Sequence, residues 1–200
     1  MARTRLPHRA ARTNHAGACE YQRVIRQLAP ADVDAFMVHA EKQAAENGRG
    51  ATVRFALRAP GKARDLDRVR SAIDDGLRRP VGEPGWYRIW IAEAAGKIVG
   101  HVGLRAPGEP LSAHRAMVDV GVFESHRRTG IATGLYAAAI DWARGQAQLA
   151  WLDAEVFAHN EPALSFHRRL GFVETARIAD LFRFDGTPVD DVRMSLRLRP

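Results

Sequence analysis

Arg127, Arg128, Thr129 and Gly130 follow a β-branched stretch at 117–122 and precede a helical pattern that opens on Ile131, Ala132 and Thr133. A strand that runs through a short polar loop into a helix brings unpaired N–H groups and a partial positive charge to one point, which suits phosphate. Gly130 allows close backbone approach, and the small residues after it leave the first turn open. No GK-S/T follows, so this is not a nucleotide P-loop, and the spacing is not the dinucleotide G-x-G-x-x-G. The same residues also suit an ordinary β–α turn whose small side chains pack helix on sheet.

A second stretch, WLDAEVFAHNEPALSFHRRLGF at 151–172, bears on that choice. Arg127, Gly130 and Ala132 match the pattern Q/R-x-x-G-x-G/A. Asn160, Ala163, His167, Gly171 and Phe172 match N-x-x-A-x-x-x-Y/H-x-x-x-G-F. Together they resemble the signatures of the GNAT superfamily of N-acetyltransferases, over roughly residues 21–198. The closing FRFDGTPVDDVRMSL at 182–196 is similar to the terminal hairpin of the bacterial branch acting on small amines or ribosomal-protein N-termini.

The resemblance implies acetyl-CoA as cosubstrate, and it implies roles. Backbone groups of Val120, Val122 and Phe123 would pair with the pantetheine arm. The amides of Arg128, Thr129, Gly130, Ile131, Ala132 and Thr133 would hold the pyrophosphate. Relatives often carry Arg or Lys at the Thr129 position, a contact that Arg127 or Arg128 could replace. Asn160 would bind the arm near the thioester. His167 stands where most members have a Tyr that protonates the departing thiolate, a task an imidazolium can perform; packing on its helix is the alternative. The reaction expected is direct attack of a primary amine on acetyl-CoA in a ternary complex.

Such a reaction also needs a base, because an ammonium must lose a proton before it attacks. Asp119 ranks first, at a strand position where many relatives carry Glu. Glu155 alternates with core-facing Ala154 and Val156 on the next strand, and Glu93 and His101 on a central hairpin rank lower. A solvated strand carboxylate is the plainer reading of each, and a base acting through water remains open. A backbone N–H near Val122 would polarise the thioester carbonyl.

The elements that must position these residues follow from periodicity. Strands are expected at 21–28, 86–93, 97–105, 116–123, 149–157, 173–184 and 189–198, and helices from Pro30 toward Asn47, then at 65–77, 130–144 and 160–170. Residues 49–63 read as a loop with a short strand, and Asp185-Gly186 as a hairpin turn. The fold class is therefore α/β (α+β): one domain over 21–200, with a mixed, mostly antiparallel sheet of six to seven strands flanked by about four helices. Residues 1–20, Arg-rich and with no acid before Glu20, read as a disordered tail or an over-long start.

Composition narrows the function classes. Among 200 residues, 46% are hydrophobic and 26% charged, a globular balance. No apolar run approaches the roughly 18–20 residues of a membrane span. Cys19 is the only cysteine, which excludes an intrachain disulfide and disfavours a covalent acetyl-cysteine, and no histidine spacing calls for a metal. The chain is expected to be cytoplasmic, with a small-molecule or peptide amine as acceptor and a second copy as a candidate partner. The net charge of +7 invites a nucleic-acid reading, yet nearly half of it falls in residues 1–20. Two other functions stand beside the enzyme: an acyl-CoA-binding regulatory module without turnover, and a basic nucleic-acid-binding protein. The acceptor surface is expected to draw on residues 30–85 and 106–115.

Overall fold

The computed structural model describes residues 24–50, 52–57 and 65–199. The expectations for residues 1–20, Cys19 included, lie outside the described residues, as do 21–23 of the first strand.

Strand β1 (Val24–Gln27) leads through a single 3-10 turn (Pro30–Asp32) into α1 (Val33–Ala45), and α2 spans Leu66–Arg78. The Asp65 carboxylate accepts the Arg68 N–H at 3.0 Å and so starts α2 where the sequence pattern placed it. Strands β2 (Tyr87–Ala94) and β3 (Lys97–Arg105) form a hairpin, with Ala95 and Gly96 both in the left-handed region. Next come β4 (Arg115–Val122), α3 (Ile131–Gly145), β5 (Trp151–Phe157) and α4 (Glu161–Arg169). The chain closes with β6 (Val173–Phe184) and β7 (Thr187–Arg197), joined through Asp185-Gly186. The expected short strand in 49–63 is not formed among its described residues; Asn47 instead takes the Phe55 and Ala56 N–H groups on its side-chain oxygen.

The seven strands form one sheet in the order β1-β2-β3-β4-β5-β7-β6, and only β4 and β5 run parallel. One face packs Trp86, Trp90, Leu104, Leu152 and Met194 against Leu135, Tyr136 and Ile140 of α3 and Leu164 of α4. The other face packs Ile89, Ile91 and Ile98 against Val33 and Phe36 of α1 and Ile73 of α2. Thus α2 packs on β2, and α1 packs on β3 and reaches β4 at Gly121, where Gln43 lies against the strand.

The feature that matters for function is a break in this sheet. Strands β4 and β5 pair at Arg115–Trp151, Ala116–Leu152 and Met117–Asp153, and then no further. Beyond that point β4 continues against β3 as far as Val122, and β5 continues against β7 as far as Phe157. Among the described residues, neither strand has a neighbouring strand on the side that faces the gap. The vertex is fixed by Arg115, whose guanidinium donates to both Asp153 oxygens at 2.5 and 2.6 Å, while Ser195 donates to the same carboxylate at 2.6 Å.

Candidate functional site

At the open end of the gap, β4 passes through one 3-10 turn (Glu124–His126) into α3. Gly130 caps the helix with φ 84°, a left-handed conformation, and nothing lies within 4 Å of the place a Cβ would take. The first-turn N–H groups of a 15-residue helix therefore open to the loop without a side chain in front of them. A small cleft of about 140 Å³ borders this loop, between Thr129, Gly130 and Ile131 on one side and Ile25, Ala92 and Glu93 on the other. Ile131 points its side chain into the core, whereas Thr133 is exposed. These features suit an anionic group such as a phosphate at the start of α3.

Several side chains assigned to the cosubstrate from sequence keep other company. Arg127 donates to Glu46 at 3.0 Å, to the Thr52 hydroxyl at 3.1 Å and to the Val122 carbonyl at 3.1 Å. It thereby ties the end of α1 to the α3 loop. Arg128 is exposed, with φ 59°. Both backbone groups of Phe123 have partners within the chain. Its N–H donates to Val99 and its carbonyl accepts from His126, because the strand ends there and turns into the 3-10 segment. Val120 and Val122 lie on the stretch that β5 leaves unpaired. Asn160 caps α4, its side-chain oxygen 3.3 Å from the Ala163 N–H.

The second face of the sheet carries the titratable groups. Asp119, about a third exposed, lies two residues past the vertex. The Tyr87 hydroxyl stands 2.9 Å from both its oxygens and donates to the carboxylate. His101 Nε2 lies 3.5 Å from Asp119 Oδ2, and His101 Nδ1 lies 2.9 Å from His39 Nε2 on α1. Gly103 and Gly121 leave room for this group: a Cβ at Gly103 would stand 2.7 Å from the Asp119 carboxylate, and one at Gly121 would stand 2.7 Å from the His101 ring. So Asp119 and His101 come together, and Tyr87 and His39, which sequence reasoning missed, join them. His39 does have a sequence signal, since it falls on the apolar stripe of α1 three residues after Phe36. Glu155 lies on the same face across the gap, nearly half exposed, and Arg193 holds it at 3.3 Å. Glu93 is bound by Arg26 at 2.9 Å.

His167 lies on the opposite face and is 3% exposed. Its Nδ1 is 2.8 Å from the Ala163 carbonyl, which only accepts, so Nδ1 carries the proton. Nε2 is then the acceptor for the Tyr136 hydroxyl at 2.7 Å. Burial lowers the affinity of His167 for a second proton and pushes the Tyr136 hydroxyl above its ordinary range. Tyr136→Phe leaves Nε2 buried without a donor and is expected to lower unfolding stability by about 1–2 kcal/mol, read from urea denaturation.

Among the described residues, no cluster of His, Cys, Asp and Glu is arranged to hold a metal, and no helix is long and apolar enough to cross a membrane. Much of the positive charge is paired with carboxylates: Arg26 with Asp32, Arg115 with Asp153, Arg127 with Glu46 and Arg193 with Glu155.

A seven-stranded, mostly antiparallel sheet that opens between its two parallel strands, with a glycine-capped helix at the open end, describes the fold of a CoA-dependent acetyltransferase. The family model described as "Acetyltransferase (GNAT) family" matches residues 63–172, and the chain belongs to that family. It is thus an acetyl-CoA-dependent acyltransferase by membership. Solved structures share the fold. The GNAT-family acetyltransferase of Streptococcus pneumoniae superposes with TM-score 0.74 at 18% identity, over 88% of this chain and 99% of that one. The protein yncA of Salmonella typhimurium, a proposed acetyltransferase solved with its cofactor acetyl-CoA, gives 0.71 at 20% identity over 90% and 95%. The ribosomal-protein-alanine N-acetyltransferase of Brucella melitensis gives 0.69 at 24% identity over 87% and 99%. No curated protein matches the chain.

Proposed function

We propose that this chain transfers acetyl from acetyl-CoA to a primary amine by direct attack within a ternary complex. The observation that carries the reading is the gap between β4 and β5. It joins the glycine-capped start of α3 at one end to Asp119 near its vertex, a carboxylate about a third exposed.

The parts divide as follows. The first-turn amides of α3, around Gly130, Ile131, Ala132 and Thr133, hold the CoA pyrophosphate, and Asn160 binds the arm from the β5 side. A peptide N–H on the gap-facing edge of β4, near Val122, polarises the thioester carbonyl as charge develops on its oxygen. Asp119 takes the proton of the ammonium, so that a neutral nitrogen attacks the carbonyl carbon and the thiolate leaves. Glu155 is the weaker candidate for that step, because Arg193 already engages its carboxylate. His167 has no proton on the nitrogen that meets Tyr136, so its part is to tie α4 to Tyr136 of α3.

Thiol release from acetyl-CoA, measured across polyamines, amino acids, drug-like amines and peptide N-termini, tests the proposal. Release with at least one class supports it. No release with any amine, together with no measurable CoA binding, removes it.

The CoA cradle has its own test. Gly130→Asp sets a carboxylate at the point reserved for the pyrophosphate, while Asp tolerates the left-handed conformation better than most residues. The KM for acetyl-CoA should rise on the order of 100-fold, equivalent to about 3 kcal/mol of binding. An unchanged KM would place the pyrophosphate elsewhere.

A further inference from the structure

Of the buried polar groups outside the steps above, His39 has the most telling surroundings. It is 2% exposed, on the inner face of α1, and its ring packs 4.6 Å from Phe123 and 6.1 Å from Phe36. An imidazole in such a place costs stability relative to an apolar side chain of similar size. Its hydrogen-bonding partner is another buried imidazole, His101, at 2.9 Å, and that ring is 7% exposed and faces Asp119.

The direction of the bonds follows from the far end of the chain. An ionised Asp119 only accepts, and it takes the Tyr87 O–H on one side. Facing the same carboxylate, His101 is favoured with its proton on Nε2. A neutral His101 then has a bare Nδ1, which needs a donor, and the atom beside it is His39 Nε2. Burial, and next the neighbouring His101, push His39 down to about 3 against a smaller opposing contribution from the Ile98 backbone, so it stays neutral; with its proton on Nε2, its Nδ1 is bare and buried without a hydrogen-bond partner.

We propose that His39 is a positioning residue of the transfer site: its Nε2–H holds His101 in the tautomer whose own Nε2–H faces Asp119, and so keeps that carboxylate oriented as the base. The proposal deepens the reading above and rests on it for the role of Asp119. His39 itself touches neither the amine nor the thioester. The arrangement joins α1 (His39), β3 (His101), β4 (Asp119) and β2 (Tyr87), so a helix packed on the sheet sets the geometry of a group on one of its strands. Catalytic hydrogen bonds are often long before substrates bind, which accommodates the 3.5 Å between His101 and Asp119.

Nitrogen-15 NMR of the histidine rings, on the full chain without substrates near neutral pH, reads the tautomers. The expected result is His101 bare at Nδ1 and protonated at Nε2, with His39 protonated at Nε2. His39→Gln keeps an N–H donor and should keep the His101 tautomer, whereas His39→Phe, which suits the surrounding aromatic rings, should lose it. With an accepted amine, His39→Phe should lower kcat about tenfold at unchanged KM for acetyl-CoA, and His39→Gln should recover most of that loss. His101 carrying its proton on Nδ1 in the unaltered chain overturns the proposal, as does a His39→Phe protein with wild-type kcat. A chain that acetylates no amine and binds no CoA removes the reading of the preceding section; the His101 tautomer needs no substrate and is read independently of it.

Discussion

Asp119→Asn is expected to lower kcat by roughly 100- to 1,000-fold, the range over which a positioned general base contributes. Asn has the same shape and can still accept the Tyr87 O–H that now reaches the carboxylate at 2.9 Å. What it cannot do is take a proton. The loss should therefore fall on kcat, with the KM for acetyl-CoA unchanged, because the groups assigned to the cosubstrate are backbone amides of β4 and α3 and the Asn160 side chain, none of which the substitution alters. It should also shrink as pH rises toward about 10, where an alkylamine sheds its own proton in solution. Both features separate a missing base from a damaged fold. An Asp119→Asn enzyme with wild-type kcat at neutral pH would move the task to Glu155 or to water.

Acid should weaken the fold before its carboxylates begin to protonate. His39 has an ordinary value of 6.5 and is pushed down to about 3 in the folded chain. The unfolded chain therefore binds a proton below about 6.5 that the folded chain refuses. Stability is full above that value, falls as pH drops through the window from 6.5 to about 3, and levels off below it. His39 alone should cost about 2 kcal/mol by pH 5. His167, lowered by its own burial, acts in the same direction. Urea denaturation at pH 7 and pH 5 measures the loss, and His39→Phe should recover the His39 share of it. If the substituted chain loses as much stability as the parent between those two values, the imidazole of His39 is not the cause.

Both predictions turn on groups with unequal visibility in the sequence. The two cosubstrate motifs are local: six residues frame Arg127 to Ala132, thirteen frame Asn160 to Phe172, and each needs only its own strand–helix unit. Helices and strands were legible for the same reason, since periodicity and turn residues act within a few positions. The expected strand inside 49–63 was not legible, because Asn47 captures that backbone with a side chain from the preceding helix. Arg127 shows the limit even within a motif. Its type and place suggested phosphate, while Glu46 and Thr52, far off in the chain, hold its guanidinium.

The acid–base group shows that limit more strongly. Asp119 could be ranked from its strand position, but nothing near it in sequence points to Tyr87, 32 positions away, or to the His39–His101 pair, 62 positions apart. His167 could be assigned a motif position, yet only its packing against Tyr136 and Ala163 shows which nitrogen holds the proton. Family, fold class and cosubstrate were thus written in contiguous residues, because helix starts, turns and strand alternation are short-range properties of the backbone. The proton-handling geometry was decided only when α1 packed across the sheet, because hydrogen-bond direction and burial depend on which side chains meet, and the fold alone brings these together.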